Sequence, residues 1–300
     1  MRGVLVLFFL GFSLASFGQQ DWVYSMQSLN LYDGNAAAAG MYDKSSLNIR
    51  ARNQWVGVDG APNTQMISFH APLKNEKLAL GVRFMHDGIG AFNRTMGAVH
   101  LAYKLQTSAG QLSFALGGGA AMEQLDVNKL KAQDEEEFLM GNINQWTPLL
   151  EAAVLYRTKK SFVGGEVRHL LPNESTYGSI QSAGSKMEAL AMAGTTVDIH
   201  SSWALRPVAG LRWNQQGQLL PEVQLGAWYV KTLWVGAGYR FNSSAYAFAE
   251  CRLKRKFRLG YSFGVPVQTV FAGQASTHEV MVGMLFGKGT PDLNSLRLFQ

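Results

Sequence analysis

The chain of 300 residues carries a single cysteine, Cys251, so no disulfide can form within it. Charged residues make up only 16% of it, against about a quarter in a typical water-soluble domain. That shortfall argues against a soluble α/β enzyme. Beyond residue 20 no uncharged apolar run reaches the roughly 18 residues that span a bilayer as a helix, which excludes a helical membrane protein. Disorder is excluded too, because aromatics reach 11% and apolar residues 47%. The net charge of +6 is weak and its basic residues are scattered, so nucleic acid is not expected as a partner. Glycine, by contrast, is abundant, with 32 residues. Little charge, many glycines and aromatics, and no long apolar run leave two classes: an all-β sandwich or a transmembrane β-barrel.

The amino terminus points to export. Arg2 supplies a positive start, Val4 to Leu10 with Phe12 an apolar core, and Ser16-Phe17-Gly18 small residues at −3 and −1 of a cut before Gln19. Residues 1–18 are therefore expected to be a signal peptide. No cysteine follows the apolar core, so there is no lipoprotein acylation site. Residues 19–44 are not strand-like and form a segment before the sheet, for which the lumen of a barrel and the periplasm are both open. Residues 45–286 are expected to form the barrel, and 287–300 a tail.

Period-two alternation runs through most of the chain. Leu78, Leu80, Val82 and Phe84 share one face against Ala79, Gly81, Arg83 and Met85. Phe257, Leu259, Tyr261, Phe263 and Val265 oppose Lys256, Arg258, Gly260, Ser262 and Gly264. One face is large and apolar; the other is tiny as often as it is polar. That pattern, with aromatics at the ends, belongs to an antiparallel outer-membrane β-barrel. The expected strands are 45–57, 63–72, 77–87, 92–105, 111–124, 146–157, 161–168, 186–197, 203–213, 218–230, 233–242, 245–253, 256–265 and 276–286. They number about fourteen, and an even number suits a bacterial barrel. Even-numbered connections are all short and the longest ones (125–145, 169–185 and 266–275) are all odd, as short periplasmic turns and longer outer loops require.

On this phasing Arg50, Arg52, Arg83, Arg168, Arg206, Arg212, Arg240, Arg252 and Arg258 point into the lumen, together with Glu123, Glu151, Glu166, Glu222 and Glu250. Opposite charges in a narrow lumen would pair and fill it; an excess of basic side chains would instead line an anion-biased pore. A barrel of about fourteen strands lies between the filled and open cases, so size leaves both open. Gly260-Tyr261-Ser262-Phe263-Gly264 matches the G-x-S-x-G nucleophile pattern, but that motif needs a strand, a sharp turn and a helix, and this copy lies inside an alternating strand. A hydrolase would need a histidine beside Ser262, and His278 is the nearby candidate in sequence. The six histidines show no metal-ligand spacing. Asp134-Glu135-Glu136-Glu137 lacks the interleaving of a calcium loop and reads as a solvated outer loop. No catalytic set, cofactor or metal site is expected.

Several segments resemble the PorP/SprF family, outer-membrane proteins of type IX secretion and gliding in Bacteroidetes. Arg52-Asn53-Gln54-Trp55-Val56-Gly57-Val58-Asp59-Gly60-Ala61-Pro62 is close to the family's most recognisable stretch, and Ser68-Phe69-His70-Ala71-Pro72-Leu73 continues it. Asn35-Ala36-Ala37-Ala38-Ala39-Gly40 looks like its Asn-Pro-Ala-Tyr-Ala-Gly, departing at Ala36 and Ala38. Asp87-Gly88-Ile89-Gly90, Val167-Arg168-His169-Leu170-Leu171 and His278-Glu279-Val280-Met281-Val282-Gly283 are similar to later family segments. The resemblance implies an outer-membrane barrel without catalysis. It also implies partnership with secretion-machine proteins and with a secreted cargo's C-terminal domain or a surface adhesin. Passive porin, apolar-solute transporter and embedded hydrolase are the alternatives. Within the Arg52–Pro62 block, Trp55, Asp59, Gly60, Ala61 and Pro62 are the partner-binding candidates. Trp55 sits like an interfacial aromatic, Asp59-Gly60 is a turn signal, and Pro62 is expected to stop strand pairing.

Overall fold

The computed structural model describes residues 24–287 apart from 43, 75–76, 127–128, 130–142, 172–174, 178–179, 183–186, 215–216, 231, 255 and 268–274. The expected signal peptide, residues 19–23, the acidic run 134–137 and most of the tail lie outside the described residues. The sheet is built from β1 (Ser45–Val56), β2 (Asn63–Pro72), β3 (Leu78–Ile89), β4 (Phe92–Gln106), β5 (Gln111–Leu125), β6 (Ile143–Arg157) and β7 (Ser161–Arg168). A small hairpin, β8 (Ser175–Tyr177) and β9 (Ile180–Ser182), follows. The sheet resumes with β10 (Glu188–Thr195), β11 (Val197–His200), β12 (Trp203–Trp213), β13 (Leu219–Tyr229), β14 (Leu233–Arg240), β15 (Ser244–Leu253), β16 (Phe257–Pro266) and β17 (Ser276–Phe286). Every neighbour pairs antiparallel. β1 pairs with β17, and β10 with both β7 and β12, so the sheet closes on itself as a fourteen-strand barrel.

Three expectations change. The strand expected over 186–197 starts at Glu188, breaks at Thr196, and continues as β11 to His200, which leaves only 201–202 as its turn. Thr196 is buried, and its N–H bonds the Lys160 carbonyl one residue beyond the last β10–β7 pair, Thr195 with Ser161; the register against β12 is unchanged across it and shifts only between Asp198 and His200. The connection read as 169–185 carries the β8–β9 hairpin. The sixth strand begins earlier, at Ile143, as the full partner of β5.

Alternation sorts the wall as the pleat demands. Phe84, Leu116, Tyr261 and Val282 stand on the outside, with Leu116 68% exposed in the isolated chain, while Ala79, Ala115, Arg258 and Met281 are buried inside. Inward residues form rows straight across the strands. One is Ala79, Ala102, Ala115 and Ala153; the next outward is Gly81, His100, Gly117 and Glu151. Both ends of the barrel chain, Ser45 and Phe286, are paired at the end with the short turns, which is the periplasmic end.

Candidate functional site: a filled lumen and its outer mouth

The lumen is occupied by the chain itself. Residues 24–42 run as a 3-10 turn (Gln27–Leu29), a single helical turn α1 (Leu31–Gly34) and a second 3-10 turn (Ala36–Ala38), all buried. The segment leaves β1 at the periplasmic end. There Ala36 to Ala39, Met41 and Tyr42 pack with the row Ala79, Ala102, Ala115 and Ala153. It ends, among the described residues, in the outer half, where Tyr24 packs with Met66, Met85, Met96 and Leu149.

The small inward residues make room for it. A Cβ at Gly81 would lie 2.3 Å from the Tyr32 hydroxyl. Gly40 has φ +67°, where a side chain is strained, and a Cβ there would meet that of Ala79 at 2.5 Å.

So short a segment cannot satisfy its own backbone, and the orphaned groups must find partners elsewhere. The charges of the wall supply them. Arg50 donates to the Met26 carbonyl at 3.0 Å, Arg258 to that of Leu29, and Lys104 to that of Gly40 at 3.1 Å. Arg83 and Arg168 both donate to the Asp33 carbonyl, at 3.2 and 2.9 Å. In the opposite sense, Glu279 accepts from the N–H groups of Ser25 (2.8 Å) and Met26 (3.4 Å), and Glu166 from Ala36 N–H. The His70 ring accepts from Gly40 N–H at 3.0 Å. Asn35 caps its own turn by accepting from Ala37 N–H, while its amide donates to the Val154 and Gly165 carbonyls.

Asp33 is the hub. Its carboxylate pairs with Arg50 at 2.9 Å and accepts from Ser68 (2.6 Å) and Asn30 (2.8 Å). Beside it Tyr32 bonds His100 at 2.8 Å, His100 meets Glu151 at 2.6 Å, and Arg83 joins Glu151 (2.5 Å) to Glu166 (2.8 Å).

All nine arginines expected to face inward are buried. Arg258 and Arg252 share Glu250, at 2.8 and 3.0 Å, and Arg252 lies 4.3 Å from the Trp228 ring centroid. Arg206 stacks on Trp234 and Phe162. Near the outer mouth, Arg212 pairs with Glu188 at 2.8 Å, Arg240 with Glu222 at 3.0 Å, and Arg94 with Glu123 at 3.5 Å. Arg52 is buried there as well, and its Nε and Nη1 have no hydrogen-bond partner. The lumen is thus filled by paired charge and by the segment 24–42.

The first outer connection is held by backbone. Trp55 is half-buried with φ +48°, where β1 loses register with β17 between Asn53 and Val56. Asp59 and Gly60 are exposed and Ala61 is half-buried. The Gly60 carbonyl accepts from Gly90 N–H at 2.9 Å, tying this loop to the next. Pro62 is buried and ends the pairing, as expected: the last β1–β2 pair is Asn53 with Asn63, and beyond it the Pro62 carbonyl accepts one further bond, from Gln54 N–H at 2.9 Å. A proline lacks the donor that would complete the next pair.

Ser262 is buried in mid-β16, in register with Glu279. His278 lies on the other face of the sheet, bonded to the Tyr261 hydroxyl at 2.7 Å and to Ser276. A strand cannot bring the two together, because successive side chains point to opposite faces. Among the described residues no group of three His, Cys, Asp or Glu side chains could hold a metal. Sequence reasoning missed Tyr32, Asp33 and Asn35 as lumen residues. The nearest signal was the block Asn35–Gly40, noted for its resemblance and not for its contacts.

A closed antiparallel barrel of this size, apolar outside and polar within, is an outer-membrane protein. Two solved structures show the same fold. One is the Acinetobacter baumannii outer membrane protein Omp33, with 10% identity, TM-score 0.50, and 81% of this chain and 98% of that one covered. Another is the CymD monoaromatic hydrocarbon channel, with 11% identity, TM-score 0.52, and 82% and 89% covered. No curated protein matches the chain. The family model for the type IX secretion system membrane protein PorP/SprF matches residues 16–284, and the chain belongs to that family.

Proposed function

We propose that this barrel works as a closed anchor in the outer membrane. It would hold a secreted or cell-surface protein, an adhesin or the C-terminal domain of a cargo, and contact secretion-machine proteins without turning over a substrate. The observation that carries this reading is the segment 24–42, gripped through its backbone by wall arginines and glutamates. A lumen held shut in this way suits binding at the mouths better than passage of solutes. The first outer connection is the surface we assign to the partner, with Asp59 as the exposed residue to probe. Pro62 is unsuitable for that purpose, since it is buried. Family membership and the resemblance of the fold to barrels rather than enzymes support a non-enzymatic role.

The test is surface retention. Deletion of the gene should release a secreted protein from the cell surface into the medium, and cross-linking on intact cells should join that protein to the barrel. Asp59→Arg should weaken the cross-link while the barrel stays heat-modifiable. An unchanged surface proteome in the deletion strain contradicts the anchor reading.

A further inference from the structure

One row of inward residues crosses the outer half of the lumen. Glu279, Arg52, Thr64, Asp87, Arg94 and Glu123 stand directly opposite one another on β17, β1, β2, β3, β4 and β5. Charges alternate along it, so neighbours could pair throughout. They do not. Glu279 is turned to Ser25 N–H, Met26 N–H and Arg50, Asp87 accepts from the Thr64 hydroxyl, and Arg94 takes Glu123. Arg52 is left over. It is 4% exposed, and neither its Nε nor its Nη1 has a partner. The charged groups whose fields reach it include Glu279, Arg240, Glu222 and Asp87, with the Tyr24 ring close by. Arg240 is already bonded to Glu222 through two of its nitrogens.

A buried guanidinium without a hydrogen-bonded anion is among the least favourable arrangements in a folded chain. One row inward, β1 carries Arg50, which is paired with Asp33, beside the apolar Met66, Met85 and Met96; Arg52 has no such partner among the described residues. An unsatisfied buried ion calls for an explanation, and a ligand that completes it is one. We infer that Arg52 is the receptor for one carboxylate of the partner bound at the outer mouth. Guanidinium matches a planar carboxylate through paired N–H groups. A multiply charged phosphate or sulfate is disfavoured by the surrounding carboxylates of Glu279, Glu222 and Asp87. The inference rests on the proposal that a protein docks at this mouth, and it names the chemistry of one contact.

The experiment uses the full barrel in detergent and three fluorescent probes: trialanine with a free C-terminus, its C-terminal amide, and a tetraglutamate amide. The two carboxylate arms separate a terminal carboxylate from an acidic side chain. Fluorescence anisotropy should show binding of at least one of them, no binding of trialanine amide, and weakening by at least tenfold in Arg52→Gln with partial return in Arg52→Lys. Equal binding of all three probes, binding of neither carboxylate probe, or an unchanged affinity in Arg52→Gln overturns the site. Arg52→Met supplies an independent reading. Removing a buried cation that no anion hydrogen-bonds should leave the unfolding midpoint in urea unchanged or raise it, and a lowered midpoint shows that Arg52 is structural and overturns the inference. If the probes fail while surface retention of the secreted protein persists, only the Arg52 site falls. If retention itself is absent, the anchor reading falls.

Discussion

The two halves of the lumen segment are held by different physics. Residues 36–42 fit mainly by shape: alanines lie against a row of four alanines, and wall side chains reach their backbone at two points, Ala36 through Glu166 and Gly40 through Lys104 and His70. Residues 24–35 are held by charge directed at backbone, with arginines on carbonyls and glutamates on N–H groups. A shape fit is forgiving of chemistry and intolerant of volume. A grip by buried charge tolerates neither the loss of a partner nor a change of sign, since each broken pair strands an ion away from water. The inner half should therefore answer to changes in size and the outer half to changes in charge.

The largest effect is expected at Asp33. Asp33→Ala leaves Arg50 without its 2.9 Å partner in a site with no access to water, a loss of about 3–5 kcal/mol. Urea unfolding followed by heat-modifiable mobility should show it, and a change within the scatter of exposed controls would remove Asp33 from the hub. Leu259→Arg serves as the contrast on the other face of the wall. A charge at mid-strand on the lipid side costs roughly 2–4 kcal/mol and should lower folding yield in lipid without touching the lumen segment. Comparable disturbance of the lumen, read as ion conductance, would mean that the two faces are not independent.

In the shape-fitted half, Ala102→Leu adds volume where the side chain is fully buried, with an overpacking cost of about 1–3 kcal/mol. Ala102→Ser, nearly equal in size, should be mild by the same assay; similar losses in both would show that polarity and not volume governs this end. The smallest effect concerns pH. His169 lies just past β7, where burial and the cation of Arg94 push its pKa down to about 3 from 6.5. The folded state keeps the ring neutral, so its cost is absent above pH 6.5 and grows as pH falls towards 3. Hydrogen exchange around His169 should quicken modestly from pH 7 to pH 5 after correction for intrinsic rates. His169→Asn, which tolerates the φ of +54°, should flatten that dependence.

Much of the wall could be read from the sequence because lipid imposes a strict rule on every second residue. Leu259, Tyr261 and Phe263 have to be apolar, and Arg258, Gly260 and Ser262 do not. The break at Thr196 and the β8–β9 hairpin carry no such rule, since neither depends on the membrane. Inward charges were legible one strand at a time, but their pairing was not. Whether Arg83 meets Glu151 or Arg52 meets Glu279 depends on register across strands and on hydrogen bonds from a segment with no period at all. For the same reason Asp33 looked like an ordinary turn residue, although three elements of the wall converge on it through Arg50, Arg83 and Arg168.

The central claim is that paired charge and the segment 24–42 keep the barrel shut, and single-channel recording of the purified full chain in a planar bilayer tests it directly. The account predicts no steady current from the native chain and long-lived open events from Asp33→Ala, in which the grip on residues 24–35 is lost. A steady pore current from the native chain, equal to that of Asp33→Ala, would contradict it.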